Sequence, residues 1–141
     1  RTRHEFLLEI ITARPDKLAT PDQIHALMER FYELGIFPDW WKLEPVLESG
    51  FWKRCGDIVR ANDAQMQGII VLGREAESEV LANVFKNARA EPLVKGFAVG
   101  RTIFAGAAQD WLNGRIDDDM AVTTMTDLFA GLIDAWDKAG E

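Results

Sequence analysis

Lys42 stands in Trp40-Trp41-Lys42-Leu43-Glu44-Pro45, a single amine inside a short apolar run that reads as a strand. A strand buried on both faces disfavours the charged form of a lysine, and the neutral amine is a nucleophile that traps carbonyl groups. Glu9 closes Phe6-Leu7-Leu8-Glu9 in the first such run. A carboxylate on one strand near an amine on the next can shuttle protons, and the two are the minimum set for carbinolamine and Schiff-base chemistry. Gly96, Gly100 and Arg101 precede a segment that reads as a helix from about Thr102. Backbone N–H groups, a helix N-terminus and a guanidinium there would make a phosphate cradle.

Weaker candidates surround these. Alternation puts Glu44 on the face of Lys42, and Gly73 ends the third apolar run, so both are candidate substrate contacts. Lys95, inside the fourth run, is the rival amine. Arg74 precedes Glu75, Glu77 and Glu79 and reads as a surface ion-pair partner. His4 and His25 do not have the spacing of a metal-ligand pair. The plain structural alternatives are a Glu9–Lys42 ion pair holding adjacent strands, and a turn with a surface arginine at Gly100-Arg101.

The elements that must position these groups alternate regularly. Apolar runs at Phe6 to Ile11, Trp40 to Leu43, Gly68 to Leu72 and Val94 to Val99 begin 34, 28 and 26 residues apart, the size of repeated βα units. In the first helix Thr20 caps, Pro21 opens, Gln23 completes a capping box and Gly35 stops, with Ile24, Leu27, Met28, Phe31 and Leu34 as its apolar stripe. Phe51, Trp52, Cys55, Ile58 and Val59 repeat the pattern, as do Val80, Leu81, Val84 and Phe85. The last helix starts at Asp117, Asp118 and Asp119, which suit the positive end of a helix dipole better than a metal. It carries Met125, Leu128, Phe129, Leu132, Ile133 and Trp136 inward.

Strands apolar on both faces and alternating with helices imply a parallel sheet covered by helices. Four units could form a small doubly wound sheet, or the C-terminal half of a (βα)8 barrel that takes about 250 residues when complete. Polar groups at the strand ends, a start directly at a strand without methionine, and no G-x-G-x-x-G or Walker sequence favour the half barrel. The whole of 1–141 then reads as one half-barrel fragment of a larger domain. The 141 residues, 48% apolar with five tryptophans, can bury a core. A net charge of −7 and no basic stripe argue against nucleic acid and anionic membranes as partners. One cysteine makes no internal disulfide, and no apolar run nears the roughly 20 residues of a membrane span, so the expected compartment is the cytoplasm.

Phe6-Leu7-Leu8-Glu9-Ile10, Lys42-Leu43-Glu44-Pro45 and Gly96-Phe97-Ala98-Val99-Gly100-Arg101-Thr102-Ile103-Phe104 resemble successive strand-end motifs of the class I tagatose-bisphosphate aldolase family. The wider string Gly35 to Pro45, with Val94 to Phe104, is similar to the second half of the aldolase-like C-terminal domain fused to 5-dehydro-2-deoxygluconokinase, the sugar kinase of bacterial myo-inositol catabolism. The resemblance implies Lys42 as Schiff-base former, Glu9 as proton shuttle and Gly100-Arg101 as phosphate grip. It further implies retro-aldol cleavage of 2-deoxy-5-keto-gluconate 6-phosphate to dihydroxyacetone phosphate and malonate semialdehyde.

That route needs no metal or other cofactor, because the iminium replaces the Lewis acid. The implied partners are the sugar phosphate, the N-terminal half barrel and a fused kinase. The fragment alone is expected to lack useful activity and to self-associate through its unpaired sheet edges. A non-catalytic sugar-phosphate-binding scaffold, and a metal-dependent aldolase or isomerase with ligands in the other half, are the alternatives.

Overall fold

The computed structural model describes residues 4–12 and 20–141. The elements run β1 (Leu7–Glu9), α1 (Pro21–Glu33), β2 (Trp40–Leu43), α2 (Phe51–Asn62), β3 (Gly68–Leu72), α3 (Ser78–Ala88), β4 (Val94–Ala98), α4 (Arg101–Leu112) and α5 (Asp118–Lys138). All strand pairs are parallel, and the sheet order is β1-β2-β3-β4, the order of the chain. A doubly wound sheet reverses direction at a switch point, and this one does not.

Several boundaries follow from local chemistry. The side chain of Gln23 accepts a hydrogen bond from the Thr20 N–H at 3.3 Å, and Gly35 takes a left-handed φ of +74° just past α1. Asp117 caps α5 by accepting from the Met120 N–H at 2.8 Å, leaving Asp118 and Asp119 in the first turn. β1 is shorter than the Phe6 to Ile11 expected, although Ile10 still donates its N–H to the Lys42 carbonyl.

One face of the sheet carries the core. Trp41, Leu43, Ile69 and Val71 pack with Ile24, Met28, Phe51, Val59, Leu81 and Phe85 from the helices. The opposite face is open, a departure from the expectation of strands buried on both sides. Leu7 there is 43% exposed, and Trp40, Lys42 and Ile70 are only half-buried. The stripe of α1 is also rotated from that expected: Tyr32 is buried, and Leu27 and Leu34 are not. Its hydroxyl makes this tolerable by accepting from Trp41 Nε1 at 2.8 Å. Burial foremost pushes the Tyr32 phenol above its ordinary range. On α5, Leu132 and Trp136 are buried, whereas Leu128, Phe129 and Ile133 stay largely exposed.

Below the sheet, Glu91 is buried and held by both terminal nitrogens of Arg60, at 2.8 and 3.0 Å, and by the Leu93 N–H. Burial first, and the charge of Glu91 second, raise the Cys55 thiol far above its usual range, so it serves as a small core residue. Glu91 also explains Gly56 in mid-helix. A Cβ at Gly56 would come within 2.3 Å of the Glu91 carboxylate. Gly→Ala ordinarily stabilises a helix interior by about 1 kcal/mol. Here Gly56→Ala is expected to destabilise by about 1–3 kcal/mol through overpacking, read as a lower urea midpoint. A raised midpoint would mean that Glu91 moves aside freely.

Candidate functional site

In parallel register Glu9 lies beside Lys42, and both side chains project from the open face. The Lys42 Nζ is 3.6 Å from Glu9 Oε1, with 22% and 36% of the two side chains exposed. Lys42 is therefore reachable, not sealed in. The reason is the sheet itself, whose described helices lie over Trp41 and not over Lys42.

At the carboxyl ends of the strands Glu9, Lys42, Gly73, Arg74, Glu75, Gly100, Arg101 and Thr102 line a cleft of about 210 Å3. Its wall toward β4 is the first turn of α4, which begins at Arg101 with Gly100 as its cap. A helix N-terminus here presents unpaired N–H groups and a partial positive charge. The Ile103 and Phe104 N–H groups are taken up by the Gly100 carbonyl. Thr102 Oγ1 is buried and has no hydrogen-bond partner among the described residues. Gly73 permits this packing, since a Cβ there would lie 2.7 Å from Val99 Cγ1 and 3.0 Å from Thr102 Oγ1.

The remaining candidates separate. Gly96 pairs with Ile70 inside β4 and does not line the cleft. Glu44 is enclosed, its side chain 3% exposed: one oxygen accepts from the Thr12 N–H and hydroxyl at 3.0 and 2.8 Å, and the other faces Arg74. Lys95 lies at the other end of the sheet, its stem over Gly68 and its Nζ donating to the Pro92 carbonyl at 2.8 Å. A register shift between Ile69 and Ile70 leaves Lys95 as the extra residue of β4. His25 stacks on Phe51 with centroids 4.9 Å apart, away from the cleft.

The model of the family described as "Uncharacterized protein conserved in bacteria (DUF2090)" matches residues 1–140. The chain belongs to that family. No curated protein matches it.

In this DUF2090 chain Arg74 is an ion-pair partner, as expected, but an inward-facing one and not a surface one. It turns away from the acidic surface run and pairs with buried Glu44. Gly73-Arg74 follows β3 as Gly100-Arg101 follows β4, so both glycine-arginine pairs meet at one rim. The cleft thus brings together an accessible amine, a carboxylate beside it, two guanidinium groups and a helix N-terminus. Among the described residues, no three His, Cys, Asp or Glu side chains converge as metal ligands.

Proposed function

We propose that this chain supplies the catalytic rim of a class I, Schiff-base aldolase of (βα)8 type acting on a phosphorylated keto sugar acid. The observation that carries the reading is the cross-strand pair of Lys42 and Glu9, 3.6 Å apart and opening into the cleft bounded by the first turn of α4. The resemblance to the aldolase-like domain fused to 5-dehydro-2-deoxygluconokinase supports 2-deoxy-5-keto-gluconate 6-phosphate as substrate.

In this mechanism the Lys42 amine attacks the ketone carbon, and the carbonyl oxygen becomes a hydroxyl. Glu9 delivers the proton with which that hydroxyl leaves as water, forming the iminium. The carbon–carbon bond β to the iminium carbon then breaks. Its electron pair moves into the enamine as the hydroxyl on the β carbon gives its proton to the Glu9 carboxylate and the departing fragment becomes an aldehyde. Glu9 then returns that proton to the enamine carbon, and water hydrolyses the iminium to release ketose phosphate and free Lys42. Arg101 and the N–H groups at the start of α4 that the Gly100 carbonyl does not take up, those of Arg101 and Thr102, hold the phosphate throughout.

The open sheet face and the edge strands β1 and β4, unpaired on their outer sides among the described residues, fit a barrel interior that a further four-stranded unit would close. We assign full activity to that closed barrel, whether the second unit comes from the same polypeptide or from another copy. Borohydride reduction of active protein with a ketose phosphate, followed by peptide mapping, should give a mass adduct on Lys42. An active enzyme with Lys42 unmodified would overturn the assignment, and an adduct on Lys95 would move it to the far end of the sheet. Sugar-phosphate binding without any adduct or turnover would favour the scaffold reading.

A further inference from the structure

Every cation that lines the cleft among the described residues faces a carboxylate: Lys42 faces Glu9, Arg74 faces Glu44, and Arg101 faces Glu75. The three pairs are not equivalent. Glu44 is enclosed and bonded on both oxygens, so its pair is a fixed part of the rim. Glu75 and Arg101 keep 53% and 65% of their side-chain exposure, and an ion pair so open contributes little and exchanges readily for a better partner.

Glu75 reaches Arg101 because of the turn that follows β3. The Gly73 carbonyl accepts from the Ala76 N–H at 2.9 Å, and both Arg74 and Glu75 take left-handed φ values, +50° and +60°. Two successive side-chain-bearing residues rarely adopt that region. The consequence is a division of labour, with Arg74 turned onto Glu44 and Glu75 directed across the cleft to α4. Even with Glu75 there, the hydroxyl of Thr102 beside Arg101 finds no partner among the described residues.

We propose that Glu75 is the resident anion of the phosphate seat and a specificity-determining residue, displaced by a ligand phosphate and not by a ligand carboxylate. The inference rests on reading the first turn of α4 as that seat. A phosphate monoester carries nearly two charges and three acceptor oxygens, enough to engage the Arg101 fork and the N–H groups of the first turn together. A ligand carboxylate offers the charge and geometry that Glu75 already provides, so the exchange gains it nothing. The seat therefore selects phosphate monoesters, and a substrate with a phosphate at one end and a carboxylate at the other enters in one orientation.

The test is calorimetric binding of inorganic phosphate, dihydroxyacetone phosphate and malonate, at low ionic strength, to the full chain and to Glu75→Gln, Arg101→Met and the double variant. Both side chains are exposed, so the substitutions leave the core untouched, and circular dichroism checks this. Glu75→Gln should bind both phosphate probes about fivefold more tightly and should acquire measurable affinity for malonate. With Arg101→Met in place, Glu75→Gln should bring no gain.

Unchanged phosphate affinity in Glu75→Gln, or an equal gain with Arg101 removed, would overturn the role of Glu75. Phosphate binding that survives Arg101→Met would instead remove the seat itself, and with it the phosphate part of the proposed function. Lys42 trapping reads the aldolase chemistry separately from both.

Discussion

Lys42→Met should lower turnover of the keto sugar phosphate by about ten-thousandfold in the closed barrel while leaving the fold intact. The two halves of that expectation have different physical sources. The rate falls because, among the described residues, no other lysine lines the cleft: Lys95 is at the far end of the sheet, and Arg74 and Arg101 are guanidinium groups, not nucleophilic amines. The fold survives because Lys42 lies on the open face, and among the described residues its ion-pair contact is with Glu9 at 3.6 Å.

Glu9→Gln should cost less, about a hundred- to ten-thousandfold, since it removes proton transfer but keeps the nucleophile. The checks are kcat on purified protein, borohydride trapping, and a urea melt of each variant. Turnover by Lys42→Met above about a tenth of the wild-type rate would end the Schiff-base reading. An unfolded variant would instead make Lys42 a structural residue.

Trp41→Ala, one residue away, should do the opposite: destroy stability and touch no chemistry directly. Trp41 has 0% exposure and packs among Phe31 and Tyr32, with ring centroids 5.9 and 5.7 Å away. Truncating a fully buried tryptophan costs about 3–5 kcal/mol, and the buried Tyr32 hydroxyl loses its donor at a further cost of about 1–3 kcal/mol. Against a total stability of about 5–15 kcal/mol for a domain, this is enough to unfold a large fraction of the protein at 37 °C. Trp41→Phe separates the terms, because it keeps most of the apolar area and removes only the hydrogen bond. Urea midpoints of the two variants measure the difference, and an alanine variant within about 1 kcal/mol of wild type would contradict the packing described.

The contrast between these neighbours marks what was legible in the sequence. Period-two alternation placed Trp41 and Leu43 against helices and Lys42 on the other face, and β2 and β3 have the bounds that their apolar runs gave. The capping box of Thr20 and Gln23 and the acidic start of α5 are legible because the side chains involved are local, whereas the capping role of Asp117 comes from the structure. Sequence alone did not give the open face, because an apolar run does not say which of its sides the chain itself covers. Nor did it give the inward turn of Arg74, which depends on left-handed backbone at two residues without glycine. The apolar periodicity of α1 does not mark Tyr32 as a core residue, because its burial depends on a partner, Trp41, that only the fold brings near. The displacement of Lys95 comes from a one-residue register shift, which leaves no mark in composition or periodicity.

The strand order has a kinetic consequence. Because β1, β2, β3 and β4 pair in the sequence in which they are synthesised, each new strand finds its neighbour already in place, and no strand must wait for a distant segment. Every sheet contact closes a loop no longer than one βα unit, so the entropy lost at each step is similar and modest. Such a chain can fold as it leaves the ribosome, one unit docking on the last, with β1 and then β2 giving Glu9 and Lys42 their places before helix α4 has been made.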